Sequence, residues 1–339
     1  MKKTVLTILA VLILCLLAFF VWQNQTNEHS NKKNPETYNA SLRFGWIPSA
    51  SFAGEITGMR MFAKENQLKL KCETGGPGLN AIQLVQTGQD TFGTIAADEV
   101  LAANDKGADL VIIGVINYFS PGGFVSKKGS QIYSPKDFEN NKVGLLPFGS
   151  TNLLYESMLE KNNVDRSKID EIIVSPDLRS FILGKYDVHP VFVYDETVTL
   201  DIKKIDYNLI EPNKFGVNFK GPVYFCKREI LEKNPLLVKA FINTMAEGWN
   251  FAISNPKKAI SFLKDFAPEI DAEREYKVLR KAIPYYTAYN GQPLNSDYKS
   301  WDDMVKELKR QDEIEKNIDI MNVVKLKYIQ EFYDSKIRK

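Results

Sequence analysis

The sequence predicts an α/β fold of two lobes, preceded by an apolar N-terminal segment. Strands and helices alternate from Ser41 onward, and the same alternation starts again at Lys142. Two extended segments, Gly122 to Lys127 and Gly221 to Cys226, lie between these runs and are rich in Phe, Tyr and Val. We expect them to be two paired hinge crossings that connect the lobes.

The first lobe is predicted from an alternation of apolar and polar residues that begins at its first strand. Leu42, Phe44 and Trp46 occupy every second position, as the apolar residues of a half-buried strand do, and Pro48 ends the strand. The continuous apolar run at 110–116 is typical of a strand buried on both faces. Strands are predicted at 41–47, 68–73, 91–95 and 110–116, with helices at 54–66, 79–87 and 98–104. Alternation at this spacing predicts a parallel sheet.

The second lobe repeats this pattern, and the chain then returns to the first lobe. Amphipathic helices after Cys226 would cover the flank of lobe one, with Trp249, Phe251 and Trp301 in the packing. The predicted strands of lobe two are 143–146, 171–175, 188–194 and 207–210, its helices are 151–162 and 176–183, and the later helices are 236–254, 257–266 and 272–283. The predicted bounds are 41–123 and 225–339 for lobe one and 124–224 for lobe two.

The N-terminal segment is predicted to anchor the chain at a membrane. Two lysines precede a run without charge from Thr4 to Trp22, close to the ~20 apolar residues that span a bilayer. The lysines would stay in the cytoplasm and place the rest of the chain outside it. A cleaved secretory signal and lipid modification at Cys15 are alternatives, although no small residue precedes that cysteine. Residues 1–23 are therefore predicted as an anchor or signal, and 24–40 as a flexible tether.

The composition argues against several classes of function. The chain has 44 basic and 42 acidic residues, whereas a nucleic-acid binder usually has a concentrated basic face. Outside the N-terminal segment only Cys72 and Cys226 occur, which leaves one disulfide or two buried thiols. With only His29 and His189 available, a histidine metal site cannot be assembled, and no Gly-x-Ser-x-Gly, His-Glu-x-x-His or Cys-x-x-Cys motif occurs. We therefore expect a binding protein without metal or cofactor rather than an enzyme.

Loops that follow strands contain the residues that a small ligand would contact. Trp46 and Phe52 flank the turn after the first strand, although two core rings would have the same pattern. The glycines of residues 74–79 would let backbone N–H groups approach a ligand at a helix start, or form an ordinary turn. A similar helix entrance in lobe two contains Ser150 and Thr151, for which helix capping is the alternative.

A second group of candidates follows the predicted strand 188–194. Tyr194, Asp195 and Glu196 would reach the cleft, where a carboxylate suits a ligand rich in hydrogen-bond donors. A capping Asp and a solvated Glu are the alternative, and His189 within the strand is expected to be structural. The complete set of predicted ligand contacts is Trp46, Phe52, Gly54, Gly76, Gly78, Asn80, Asp98, Ser120, Ser150, Thr151, Tyr194, Asp195 and Glu196.

Six stretches, in this order, resemble ABC-transporter solute-binding proteins of the thiamine-pyrimidine and nitrate, sulfonate and taurine group. They are Trp46 to Gly54, Thr87 to Gly93, Ser134 to Gly144, Asp187 to Glu196, Asn208 to Val217, and Glu247 to Trp249. The resemblance implies the two-lobed periplasmic-binding fold of type II, with two hinge crossings, which closes around a ligand. It also implies that Trp46 and Phe52 form a stacking wall, that Gly76 and Gly78 allow backbone approach, and that Tyr194 and Glu196 form the opposing wall.

The same group includes fungal enzymes that make the thiamine pyrimidine with their own histidine and a cysteine-rich motif. This chain has no cysteine cluster and no histidine in lobe one, so that activity is not expected. The sequence predicts a monomeric, extracytoplasmic binding protein that delivers a small planar heteroaromatic, such as an aminopyrimidine or a flavin, to an ABC permease. A binding protein for nitrate, sulfonate or taurine is one alternative, with Lys71 and Arg179 as the nearest cations. A ligand-sensing receptor for a membrane signalling partner is the other.

Overall fold

The computed structural model describes residues 37–147 and 149–337, which form two lobes, each built on a five-stranded sheet. Residues 1–23, predicted as an anchor or signal, lie outside the described residues, as does most of the predicted tether. The first strand begins at Tyr38, inside the range predicted as tether. Within the described ranges, no helix is both long and apolar enough to cross a membrane.

Strands and helices follow the predicted alternation, with their ends shifted by a few residues. The strands are β1 Tyr38–Arg43, β2 Leu68–Glu73, β3 Phe92–Ala96, β4 Leu110–Val115, β5 Gly122–Lys127, β6 Lys142–Leu145, β7 Asp170–Ile173, β8 Val188–Phe192, β9 Tyr207–Ile210 and β10 Pro222–Lys227. The helices of the two lobes before β10 are α1 Ala53–Thr57, continued by a π-helical turn Gly58–Phe62, α2 Ala81–Gln86, α3 Ala97–Asp105, α4 Thr151–Lys161, α5 Arg179–Ile182 and α6 Glu196–Ile202.

After β10 the chain is helical, as predicted, and packs mainly on lobe one. These helices are α7 Arg228–Lys233, α8 Pro235–Ser254, α9 Pro256–Phe266, α10 Ala272–Tyr286, α11 Lys299–Arg310, α12 Ile320–Val323 and α13 Lys327–Ile337. Trp249 and Trp301 are fully buried, which confirms that they are packing residues. The apolar strand β4 is also buried along its whole length, as its sequence predicts.

Both sheets are mixed, because each contains, beside the parallel strands that the sequence predicts, one antiparallel strand that was expected in the hinge. The first sheet has the order β2, β1, β3, β10, β4, and the second has the order β7, β6, β8, β5, β9. Strand β10 runs antiparallel to both of its neighbours, and so does β5. Each of these strands enters its sheet directly from the other lobe. No helical crossover within its own sheet precedes it, so nothing requires a parallel direction.

The same two strands correct the predicted position of the hinge crossings. The segments predicted as crossings are β5 and β10, which lie inside the two sheets and do not pair with each other. Their apolar residues fill a sheet that is covered on both faces, where Phe124 and Phe225 are fully buried. The crossings precede these strands, at residues 116–121 and 211–221.

Backbone hydrogen bonds pair the two crossings side by side. The Ile116 amide donates to the Pro222 carbonyl at 2.9 Å, and the Gly221 amide donates to the Asn117 carbonyl at 3.0 Å. The Ser120 amide donates to the Phe219 carbonyl at 2.7 Å. A Cβ atom at position 221 would lie 2.6 Å from the Asn117 Cβ, so this close approach requires glycine.

A buried carboxyl group connects α1 to the core of lobe one. The Glu55 side chain is inaccessible to solvent and accepts a hydrogen bond from the Tyr224 hydroxyl at 2.7 Å. The Trp249 indole N–H donates to the same hydroxyl at 2.8 Å. Burial raises the pKa of Glu55 from 4.5 to about 8, so the carboxyl is protonated in the folded protein at neutral pH.

Replacing Glu55 with Gln should flatten the pH dependence of stability. Because its folded pKa of about 8 lies above the usual 4.5, the wild type loses stability as pH rises through this window, where the unfolded chain ionises first. Gln keeps an oxygen acceptor for Tyr224 and does not ionise. Urea denaturation should therefore show that the free energy of unfolding falls between pH 5 and pH 8 by roughly 1–3 kcal/mol more in the wild type than in the variant. Equal losses in the two proteins would contradict a protonated Glu55.

Candidate functional site

A cleft of about 510 Å³ lies between the two lobes and is the candidate ligand site. Loops that follow β1 and β2 line it from lobe one together with the end of β3 and the start of α3, and loops that follow β6 and β8 line it from lobe two. Residues of both crossings, including Asn117, Ser120 and Gly221, complete the lining. A cleft at the carboxyl ends of strands is the usual ligand position in α/β proteins.

The loop after β1 brings an aromatic wall to the cleft. Trp46 lines it with 42% of its surface exposed. Phe52 also lines the cleft but is only 7% exposed, because it stacks on Phe44 with a centroid distance of 4.2 Å. Trp46 therefore presents the larger ring surface, and Phe52 mainly supports the loop.

The glycine loop after β2 reaches the same wall. Gly76 and Gly78 line the cleft with φ angles of +145° and +82°, a backbone region that L side chains rarely adopt. Asn80 does not line it. Its side chain accepts a hydrogen bond from the Gln83 amide at 3.0 Å and caps α2.

The start of α3 places two neighbouring acids differently. Asp98 is buried behind the cleft and accepts a hydrogen bond from the Ser150 hydroxyl at 2.6 Å, which joins lobe one to lobe two. Burial raises the pKa of Asp98 to about 6. Glu99, the next residue, lines the cleft itself. Partial desolvation of its carboxyl, together with the charge of Asp98, raises the pKa of Glu99 to about 7, although the residue as a whole is exposed.

The turn after β8 forms the opposite wall. Tyr194 is buried, its hydroxyl lies among Ser51, Asn117 and Tyr286, and burial raises its pKa above the usual range. The ring packs edge-on against Tyr285 with a centroid distance of 5.5 Å. Only a small part of Tyr194 is therefore available to a ligand.

Asp195 and Glu196 have different surroundings although they are adjacent. Asp195 forms an ion pair with Arg274 of α10, which belongs to lobe one. One oxygen of Glu196 accepts a hydrogen bond from the Phe192 amide at 2.7 Å. Burial, and to a lesser extent the charge of Asp195, raises the pKa of Glu196 above its usual range. Glu196 is thus the carboxyl of this pair that lacks an ion pair with any described cation.

The cleft therefore brings most of the predicted ligand contacts together. Those that line it are Trp46, Phe52, Gly76, Gly78, Ser120, Ser150, Thr151, Tyr194, Asp195 and Glu196. Gly54, Asn80 and Asp98 do not line it. A Cβ atom at Gly54 would lie 2.1 Å from the Trp249 ring, so this glycine serves helix packing. The sequence could not place Gly54 correctly, because its partner lies almost two hundred residues away.

Other cleft residues were missed by sequence reasoning. Glu99 lines the cleft although its neighbour Asp98 was chosen, and Asn117 lines it from the first crossing. Arg274 and Glu275 do not line the cleft, but they form hydrogen bonds and ion pairs that support its walls. The Glu275 carboxylate accepts from the Ala50 amide at 2.6 Å and from Arg274 at 2.7 Å. The helical periodicity of α3 could have favoured Glu99 over Asp98 as the residue that faces the cleft. No local sequence pattern indicates Asn117, Arg274 or Glu275.

The charge of the lining is negative. Among the described residues that line the cleft there are three acids, Glu99, Asp195 and Glu196, and no Lys, Arg or His. The two cations considered for an anionic ligand lie elsewhere. Lys71 pairs with Glu73, and Arg179 pairs with Asp177 at the rim of a neighbouring groove.

Comparison with known proteins identifies the family. The family described as NMT1/THI5 like matches residues 60–259, which is more than half of the chain. The chain belongs to the NMT1/THI5-like family. One curated relative is 4-amino-5-hydroxymethyl-2-methylpyrimidine phosphate synthase THI5 of Saccharomyces cerevisiae, 27% identical over 66 residues. That match covers only 20% of this chain and 19% of the yeast protein.

Solved structures confirm the predicted two-lobed periplasmic-binding fold of type II. The periplasmic aliphatic sulphonate binding protein SsuA from Escherichia coli has a TM-score of 0.67 at 17% identity, covering 84% of this chain and 92% of that one. The periplasmic nitrate-binding protein NrtA from Synechocystis PCC 6803 has a TM-score of 0.63 at 12% identity, covering 89% of each chain.

Replacing Arg274 with Met should loosen the contact between α10 and lobe two. The variant removes the partner of Asp195 and a hydrogen bond to Thr199, so the arrangement with the lobes in contact loses stability. Small-angle X-ray scattering of the ligand-free protein should show a larger radius of gyration. Arg280→Met, an exposed position on the same helix, should leave the radius unchanged. Equal radii for all three proteins would exclude a role for Arg274 in holding the lobes.

Proposed function

We propose that this protein is the extracytoplasmic solute-binding component of an ABC importer and that it binds a small planar heteroaromatic rich in hydrogen-bond donors. The observation that carries the proposal is an acidic cleft that is lined by Trp46 and has no cation among its described lining residues. We further propose that the protein works as a monomer tethered at the membrane and delivers its ligand to a permease.

Several findings support a binding role. The fold is two-lobed, and a cleft of about 510 Å³ has the size of ordinary small-molecule sites. The structural neighbours SsuA and NrtA are named as sulphonate-binding and nitrate-binding proteins. The Asp98 to Ser150 hydrogen bond crosses from one lobe to the other, as expected if the lobes close on a ligand.

The chemistry of the cleft argues against an anionic ligand such as sulfonate or nitrate. Anion sites use Arg, Lys or several backbone N–H groups, and burial of an anion beside unpaired carboxylates is unfavourable. Glu99 and Glu196 would repel it. An aromatic amine, by contrast, can stack on Trp46 and donate to either carboxylate. The yeast relatives are named as synthases of an aminopyrimidine phosphate, which supports an aminopyrimidine as the ligand.

A synthase activity is not favoured by the same geometry. His189, the histidine within the described residues, is fully buried in β8 and does not line the cleft. Its Nδ1 lies 2.8 Å from the Tyr186 hydroxyl, and burial lowers its pKa to about 4. Cys72 and Cys226 are free and buried in lobe one. None of these groups is available to react with a molecule in the cleft.

Replacing Trp46 with Ala should weaken binding of an aminopyrimidine by about 1–3 kcal/mol, the range for loss of a base stacked on an aromatic ring. A thermal-shift screen over pyrimidines, flavins, sulfonates and nitrate identifies the ligand, because a molecule that binds the native state raises the melting temperature. Isothermal titration then gives the affinities of wild type and variant.

Tyr133→Ala is the matched control, since this aromatic is 57% exposed outside the cleft. It should bind as the wild type does. The proposal fails if no heteroaromatic stabilises the protein, or if sulfonate or nitrate stabilises it instead. Unchanged affinity in a folded Trp46→Ala protein would remove this ring from the site.

A further inference from the structure

We propose that the ligand carries a positive charge on its heteroaromatic ring and that Glu99 and Glu196 select for this charge. The inference rests on the proposed function, because it names the charge state of the molecule bound in the same cleft. Both residues line the cleft, Glu99 from α3 in lobe one and Glu196 from the start of α6 in lobe two. A bound ring would lie between two carboxylates supplied by different lobes.

The neighbouring acids Asp195 and Glu275 pair with Arg274, whereas Glu196 accepts only a backbone hydrogen bond, from the Phe192 amide. Asp98 accepts from Ser150, and Asp195 is paired with Arg274. Glu275 accepts from the Ala50 amide and from Arg274. Within the part of the chain that the structure describes, neither Glu99 nor Glu196 forms an ion pair with a cation. Two carboxylates that share one cleft without a paired cation repel each other when ionised, and a cationic ligand would reduce that repulsion.

Two further cleft residues fit a charged ring. Trp46 lines the cleft and is 42% exposed, and an indole ring attracts a cation more strongly than a neutral ring. Asn117 is 1% exposed, lines the cleft, and its side-chain Nδ2 has no hydrogen-bond partner among the described residues. An acceptor on the ligand would satisfy this donor.

The charged groups around both carboxylates do not supply a compensating cation. Asp98 and Glu313 act near the start of α3, and both are acidic. Around Glu196 are Asp195 and Arg274, with Asp177, Arg179 and Lys203 along the neighbouring groove. Arg274 is held by Asp195 and Glu275, and Arg179 is held by Asp177. Lys203 lies along the neighbouring groove and forms no ion pair with Glu196, so the described side chains that line the cleft itself are negative when the two glutamates are ionised.

This charge distribution predicts proton release on binding. The Glu99 carboxyl has a pKa of about 7 and the pKa of Glu196 is raised, so both are partly protonated in the ligand-free protein near neutral pH. A bound cation favours the ionised forms and lowers both pKa values. Cation affinity should therefore increase as pH rises from about 6 to about 8. A neutral ligand gains nothing from this ionisation.

The test compares 4-aminopyrimidine with 1-methyl-4-aminopyrimidinium at pH 8, where the parent base is neutral. Isothermal titration of the full chain should show the methylated cation binding about tenfold more tightly. Glu99→Gln and Glu196→Gln should each reduce this preference for the cation over the neutral base. Glu273→Gln, at an exposed position of α10, should keep the wild-type preference. Melting temperatures recorded in parallel identify any variant that does not fold.

A measurement on the wild type makes the test independent of the variants. Binding enthalpies of the cation in phosphate and in Tris at pH 7 should differ in the direction that corresponds to proton release. If both compounds bind equally, or the neutral one binds better, the charge inference is overturned and the proposed heteroaromatic ligand stands. If neither compound binds and a sulfonate does, the proposed function is overturned together with it.

Discussion

The architecture depends on the pairing of the two chain crossings between the lobes. Hydrogen bonds between residues 116–120 and 219–222 hold the crossings side by side, and each crossing delivers one antiparallel strand into the sheet it enters. This arrangement points the carboxyl ends of the other strands of both sheets at one shared space. The cleft exists because of that geometry, and Gly221 is required for the crossings to approach so closely.

Helix α10 links the first ligand loop to the opposite lobe. Glu275 accepts from the Ala50 amide in the loop after β1, while Arg274 pairs with both Glu275 and Asp195. A movement of the lobes therefore acts on the loop that carries Trp46. The same network neutralises Asp195 and leaves Glu99 and Glu196 as the two carboxylates available to a ligand. The C-terminal helices that return to lobe one therefore support the loop that carries Trp46 and also determine which carboxylates of the cleft are paired.

Local pattern predicted the elements well, and long-range packing decided what the sequence could not reveal. Strand β2 has the predicted ends because its alternation of Leu and Lys is complete. The segments now seen as β5 and β10 were placed in the hinge, since an apolar run does not say which neighbours it pairs with. Gly54 was assigned to the ligand, although its close contact with Trp249 explains it. Arg274 gave no local signal, because its role depends on Asp195 in the other lobe.

The central claim is that a heteroaromatic ligand stacks on Trp46 in the cleft, and tryptophan fluorescence tests it most directly. Of the three tryptophans within the described residues, Trp249 and Trp301 are fully buried and do not line the cleft, whereas Trp46 lies on its wall. A ligand identified by thermal shift should quench the tryptophan emission of the wild type, and the quenching should saturate as the ligand concentration rises. In Trp46→Phe the quenching should disappear while the thermal shift persists. Identical quenching in the two proteins, or thermal stabilisation of the wild type without any change in emission, would contradict the account.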